Sequence, residues 1–184
     1  DFTIDATPPS VSLTAPAGGQ LLRGGDTFTI TWSASDAHFG DTPIALAYST
    51  DGGATYTDIV TATANTGQFA WTLPQVETST VRVRITATDR VGHATSRESG
   101  DFTIDATPPS VSLTAPAGGQ LLRGGDTFTI TWSASDAHFG ATPIALAYST
   151  DGGATYTDIV TATANTGQFA WTLPQVETST VRVR

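Results

Sequence analysis

The sequence contains no cysteine, no methionine and no lysine. All eight of its basic side chains are arginine, set against 17 Asp and Glu for a formal charge of −9. Without cysteine there is no disulfide framework, no thiolate metal site and no thiol nucleophile. An acidic excess of this size argues against a nucleic-acid partner, which needs a basic footprint, and against an anionic membrane surface. It suits solubility and divalent cations. No apolar run approaches the roughly 18 residues that cross a bilayer as a helix, so direct membrane insertion is not expected. No signal peptide precedes Asp1 and no initiator Met is present, so the chain reads as mature or as a piece of something longer. Helix-length amphipathic stretches are missing as well.

What is there in abundance is repetition. Residues 1–13, DFTIDATPPSVSL, return letter for letter at 101–113, and the chain shifted by 100 residues matches itself everywhere except at Asp41 against Ala141. Solenoid units of about 20–50 residues need their neighbours to bury an apolar face, and this period is too long for them. The repeat therefore reads as a string of beads, each able to bury a core of its own.

Within one repeat the dominant pattern is alternation with a period of two. Val11 and Leu13 share a face after Pro8-Pro9. In TFTITWSAS, Phe28, Ile30 and Trp32 point one way and the threonines the other. The next inward stripes are Ile44, Leu46 and Tyr48, then Phe69, Trp71 and Leu73. Asp51-Gly52-Gly53 marks a hairpin turn before TYTDIV, since glycine takes positive φ at no steric cost. TVRVRITATD is the clearest strand, with Val81, Val83, Ile85 and Ala87 inward and Arg82 and Arg84 outward, and DFTI adds Phe102 and Ile104. This count predicts an all-β chain of tandem immunoglobulin-like or fibronectin III-like seven-stranded β-sandwiches joined end to end.

The expected division places an orphan last strand of a preceding repeat, plus linker, at 1–5. A complete repeat follows at 6–105, and at 106–184 a second repeat truncated in its sixth strand. That second repeat lacks the counterparts of Ile85, Ala87, Phe102 and Ile104. At about 1.5–3 kcal/mol each, their loss would exceed most of the roughly 5–15 kcal/mol that holds such a domain together. It is expected not to fold alone, and to be completed by a continuing chain in preference to strands donated by another copy.

Following the strands up and down brings Asp5, Asp36, Asp41 and Asp89 to one pole of the first repeat. Carboxylates on irregular loops suit calcium, which takes six to eight oxygens. The competing explanation is that loop Asp residues form Asx-turns and cap backbone groups. Because Asp41 becomes Ala141 in the other copy, Asp5, Asp36 and Asp89 are the stronger candidate ligands, with Asp105 and Asp136 as the second repeat's remnant.

DATPPSVSL, DRVGHA and the closing DFTID resemble the bacterial Ig-like repeats of large extracellular adhesins and biofilm surface proteins. Such repeats have an Asp-to-Pro link, here Asp105 to Pro109. They also have a turn before the last strand, here Asp89 to His93, with His93 where that turn carries Asn. The resemblance implies an extracellular, cell-surface location and, as in some members, calcium at the bead junctions. Otherwise no cofactor is expected.

Ser49 to Tyr56, STDGGATY, matches the Asp-box of sialidase propellers, but that motif is a turn device without a catalytic group, and propellers need it at shorter spacing. His38, His93 and His138 form no arrangement with a nucleophile and read as polar loop residues. Trp32 and Trp71 lie on inward stripes and read as core. LLRGGD is not an Arg-Gly-Asp, since an extra Gly intervenes, and Arg82 and Arg84 read as a solvated ladder.

The sequence thus points to a non-catalytic structural spacer of a bacterial surface adhesin or fibre. Its partners would be neighbouring repeats of the same chain and other copies in a fibre. The alternative is a carbohydrate-binding or accessory module of a secreted hydrolase.

Overall fold

The computed structural model describes residues 2–184 and falls into two units, one ending at Ala106 and the other comprising Thr107–Arg184.

In the first unit β1 (Ser10–Ala15), β3 (Thr27–Ser35) and β6 (Gln68–Thr72) form one antiparallel sheet in the order β1-β3-β6. The other sheet has the order β2-β9-β7-β4-β5, from β2 (Leu21–Arg23), β4 (Phe39–Ser49), β5 (Thr57–Thr63), β7 (Thr78–Asp89) and β9 (Phe102–Asp105). A further strand, β8 (Ala94–Glu98), is also bonded to β7. The length of β7 allows this: β9 pairs near its start (Val81 opposite Phe102) and β8 along its second half (Arg84 opposite Glu98 to Thr88 opposite Ala94).

The predicted inward stripes meet between the sheets. Ile30, Trp32, Ile44, Leu46, Trp71, Leu73, Val81, Val83, Ile85, Ala87, Phe102 and Ile104 are buried, and Leu13, Phe28, Tyr48 and Phe69 pack against them at the margin. This is the two-layer sandwich that alternation demands, since a strand with one apolar face must lay it against another sheet.

Two strands are not legible in the sequence. Leu21–Arg23 has only three residues and exists through parallel pairing with β9, Leu22 lying opposite Ile104. Ala94–Glu98 has no apolar stripe and is held by backbone pairing along β7. In addition β4 starts earlier than its apolar stripe, because Phe39 pairs with Asp89 at the end of β7.

The second unit repeats this plan over fewer residues. β10 (Ser110–Ala115), β11 (Thr127–Ser135) and β14 (Gln168–Thr172) form one sheet. β12 (Ile144–Ser149), β13 (Thr157–Thr163) and β15 (Arg182–Val183) form the other. Registers are reproduced, Phe128 facing Trp171 as Phe28 faces Trp71. Ile130, Trp132, Ile144, Leu146, Trp171 and Leu173 make its core.

The face that residues 85–105 cover in the first unit is open in the second. Val11 is 8% exposed and Val111 is 72% exposed. A cavity of about 400 Å³ opens there, lined by Val111, Leu113, Trp132, Ile144 and Leu146 among others. Among the described residues no helix is long and apolar enough to cross a membrane.

Candidate metal centre

Three irregular segments of the first unit converge at one pole. Residues 2–9 form no strand, and within them the Asp5 Oδ1 accepts the Thr7 N–H at 3.0 Å. Between β3 and β4 the Asp36 Oδ1 accepts the His38 N–H at 2.7 Å. At the end of β7 the Asp89 Oδ1 accepts the N–H groups of Val91 and His93, both at 2.9 Å, and Oδ2 lies 2.8 Å from His93 Nδ1. Gly92, at φ +95°, supplies the left-handed residue this turn requires. The His38 carbonyl accepts the Arg90 N–H at 3.1 Å, which fastens the β3–β4 loop to the β7–β8 turn.

The outcome is two sets of ligand-type side chains that share Asp5. Asp5, Asp36 and His38 bring one donor atom each within 4.8 Å of the others, and so do Asp5, Asp89 and His93. The Asp89 side chain is fully buried and that of Asp5 is only 7% exposed, while both imidazoles reach solvent. Burial works to raise the Asp89 carboxyl. The hydrogen bonds from the His93 backbone and ring, and from the Val91 and Gly92 backbones, outweigh it and hold the group below the usual carboxylate range.

Asp5 Oδ2 is different. It is buried and accepts no hydrogen bond; His38 Nδ1 stands 2.9 Å away, close enough for an ion pair but out of line for a bond. Among the described residues no arginine pairs with Asp5, Asp36 or Asp89, although arginines pair with other carboxylates of the same unit: Arg82 with Asp101 and Arg84 with Glu98.

Of the residues singled out in the sequence, Asp36 and Asp89 therefore each stand beside Asp5. Asp41 is exposed on β4 and stands outside both sets. Asp105 lies in β9 opposite Arg23, its carbonyl accepting the Gly24 N–H at 2.7 Å. Asp136 belongs to the second unit, where its Oδ1 accepts the His138 N–H at 2.6 Å. His38 and His93, which read in the sequence as polar loop residues only, are added to the cluster by the structure. Their signal is local: His38 follows Asp36 by two positions and His93 follows Asp89 by four.

The Asp-box sequence builds a turn. Ser49 Oγ donates to Asp51 Oδ1 at 2.6 Å and accepts the Gly53 N–H at 2.8 Å, while Asp51 accepts the Thr55 N–H and hydroxyl at 2.9 and 2.5 Å. Ser149, Asp151 and Thr155 repeat it. Beside the turn the Arg84 guanidinium lies 3.4 Å above the Tyr56 ring.

The family described as bacterial Ig domain matches residues 9–87 and 109–184. Similar solved structures include the fibronectin(III)-like modules of CbhA from Clostridium thermocellum, at 18% identity over 88% of this chain and 78% of that one, TM-score 0.40. The N-terminal four Ig domains of Dscam1 isoform 6.44 align at 12% identity over 99% of this chain and 43% of that one, TM-score 0.40. Titin domains z1z2 in complex with telethonin align at 15% identity over 94% and 100%, TM-score 0.37. No curated protein matches the chain.

Proposed function

The chain belongs to the bacterial Ig domain family, and from that premise we propose that it is a spacer: consecutive repeats of an extracellular surface adhesin or fibre, non-catalytic, whose product is reach. Domains of this family usually occur in extracellular surface proteins. The observation that carries the reading is the fate of the aromatic side chains most suited to sugar stacking. Trp32, Trp71, Trp132 and Trp171 are all buried, inside the cores of the two units. A polysaccharide-binding module would hold an indole or phenol face out to solvent.

Two further observations support it. The near-identity of the copies suits a part selected for number and extension, whereas a binding site needs only one good copy. The histidines of the first unit face carboxylates and not a hydroxyl nucleophile, His38 beside Asp5 and His93 beside Asp89. The partners of such a spacer are adjacent repeats of its own chain and, in a fibre, other copies.

The test is small-angle X-ray scattering on chains of two, three and four repeats. Strands of about eight residues give a bead some 25–30 Å tall. A spacer's maximum dimension should grow by a constant step of at least that size per repeat. Growth that flattens as repeats are added, together with retention on a polysaccharide column, would replace the spacer by the accessory-module reading.

A further inference from the structure

We propose that the two ligand sets that share Asp5, with Asp36 and His38 in one and Asp89 and His93 in the other, make this pole a binding site for a divalent transition-metal ion, with zinc as the reference ion. The site goes beyond the spacer reading and does not depend on it, since a rod needs no metal and a metal site needs no rod.

Asp36 and Asp89 each stand beside Asp5, two of the three carboxylates are nearly or fully buried, and among the described residues no arginine pairs with any of them. Placing like charges side by side out of water is unfavourable unless something positive joins them. Three of the six oxygens accept backbone N–H groups and Asp89 Oδ2 meets the His93 ring, whereas Asp5 Oδ2 is buried, accepts no hydrogen bond and has only the His38 ring beside it, at 2.9 Å; it belongs to the one residue common to both ligand sets. A cation at that oxygen would satisfy it and offset the clustered charge.

The choice of ion follows from the imidazoles. Calcium takes oxygen ligands almost exclusively, and the loop carboxylates alone would suit it. His38 and His93 change the site's chemistry, because a ring nitrogen beside each carboxylate makes a mixed nitrogen and oxygen set of the kind that zinc, nickel and copper prefer. Four-coordinate zinc with bonds of about 2.1 Å holds neighbouring ligand atoms roughly 3.4 Å apart. Within each set of three the donor atoms already lie within 4.8 Å of one another. A ring nitrogen bound to the ion cannot also carry a proton, so binding should release any proton held there. Bound at this pole, the ion would tie the segment around Asp5, which forms no strand, to the β3–β4 loop and the β7–β8 turn.

The test is a zinc titration of the full 184-residue chain, read by thermal midpoint and by nitrogen chemical shifts of the histidine rings. Zinc should raise the midpoint, EDTA should reverse the rise, and the same concentration of calcium should leave it unchanged. His38 and His93 ring nitrogens should shift. Asp5→Asn, which retains the oxygen facing Thr7, should weaken zinc binding by at least about tenfold, and His93→Gln likewise. Equal zinc affinity in Asp5→Asn and the parent chain would overturn the proposal, as would ring shifts absent from both histidines. A midpoint raised by calcium and not by zinc would overturn the choice of ion. The ring shifts are read on the parent chain, so they decide the matter even where a variant fails to fold. A midpoint response to zinc in a chain whose scattering dimensions flatten with added repeats would retain this site and remove the spacer.

Discussion

At the residue scale the most informative side chains are those that hold turns. Ser49 and Ser149 are buried, and each organises its hairpin through an Asp two positions on. Ser49→Ala strips the acceptor from the N–H groups of Asp51 and Gly53, and leaving such groups unmet is expected to cost about 1–3 kcal/mol, measurable by urea unfolding. The hydroxyls and N–H groups around Asp51 and Asp151 hold both carboxyls far below their ordinary value of 3.8. Asp89 and Asp101 are also lowered, Asp101 chiefly by its hydrogen bond from Arg82. A lowered folded-state value means that the unfolded chain binds protons first, so the stabilisation is complete above the ordinary value and is lost as pH falls through the folded one. The melting midpoint should therefore be level from about pH 8 to about pH 5 and fall below about pH 4. Asp51→Asn with Asp151→Asn should lower the midpoint at neutral pH and flatten that acid limb. An acid limb identical to the parent's would show that these turns are not its source.

At the element scale the chain contains its own control. Phe2 and Phe102 sit in the same DFTID pentapeptide, yet Phe2 is 88% exposed in a segment without strand structure and Phe102 is 1% exposed in β9. Phe102→Ala should cost about 3–5 kcal/mol by opening a cavity between the sheets, and Phe2→Ala should change stability by less than about 0.5 kcal/mol. Comparable losses from both would contradict the burial described. The same contrast shows why some elements are legible and others not. β7 announces itself because Val81, Val83, Ile85 and Ala87 alternate with polar residues, and alternation follows from a strand having one wet face and one dry. β2 and β8 carry no such stripe. They exist because β9 and β7 offer unpaired backbone groups beside them, which a neighbour-blind reading of Leu21–Arg23 or Ala94–Glu98 has no means to register.

At the scale of the whole molecule the two units differ in what they bury, although the positions they share differ only at Asp41 against Ala141. The first has the β7–β9 face over Val11; in the second, Val111 and Leu121 face solvent. Expressed separately, residues 1–106 should melt cooperatively, and residues 107–184 should show no cooperative melting transition and bind a hydrophobic dye, since exposed core surface is what such dyes report. A cooperative transition in residues 107–184 at the midpoint of residues 1–106 would mean that the β7–β9 face contributes little to the sandwich. The class of the fold, the inward residues of six strands and the repeat were settled by the sequence itself, because all three are encoded locally, in periodicity and in identity at a distance of one repeat. The gathering of Asp5, Asp36, His38, Asp89 and His93 was only half legible. Chain direction placed the three carboxylates at one pole, but the histidines joined them only when the Asp89 turn and the β3–β4 loop were docked, Arg90 on His38 and Phe39 opposite Asp89. Contacts between segments this far apart along the chain carry no periodic trace, so only the tertiary structure decides which polar loop residues meet.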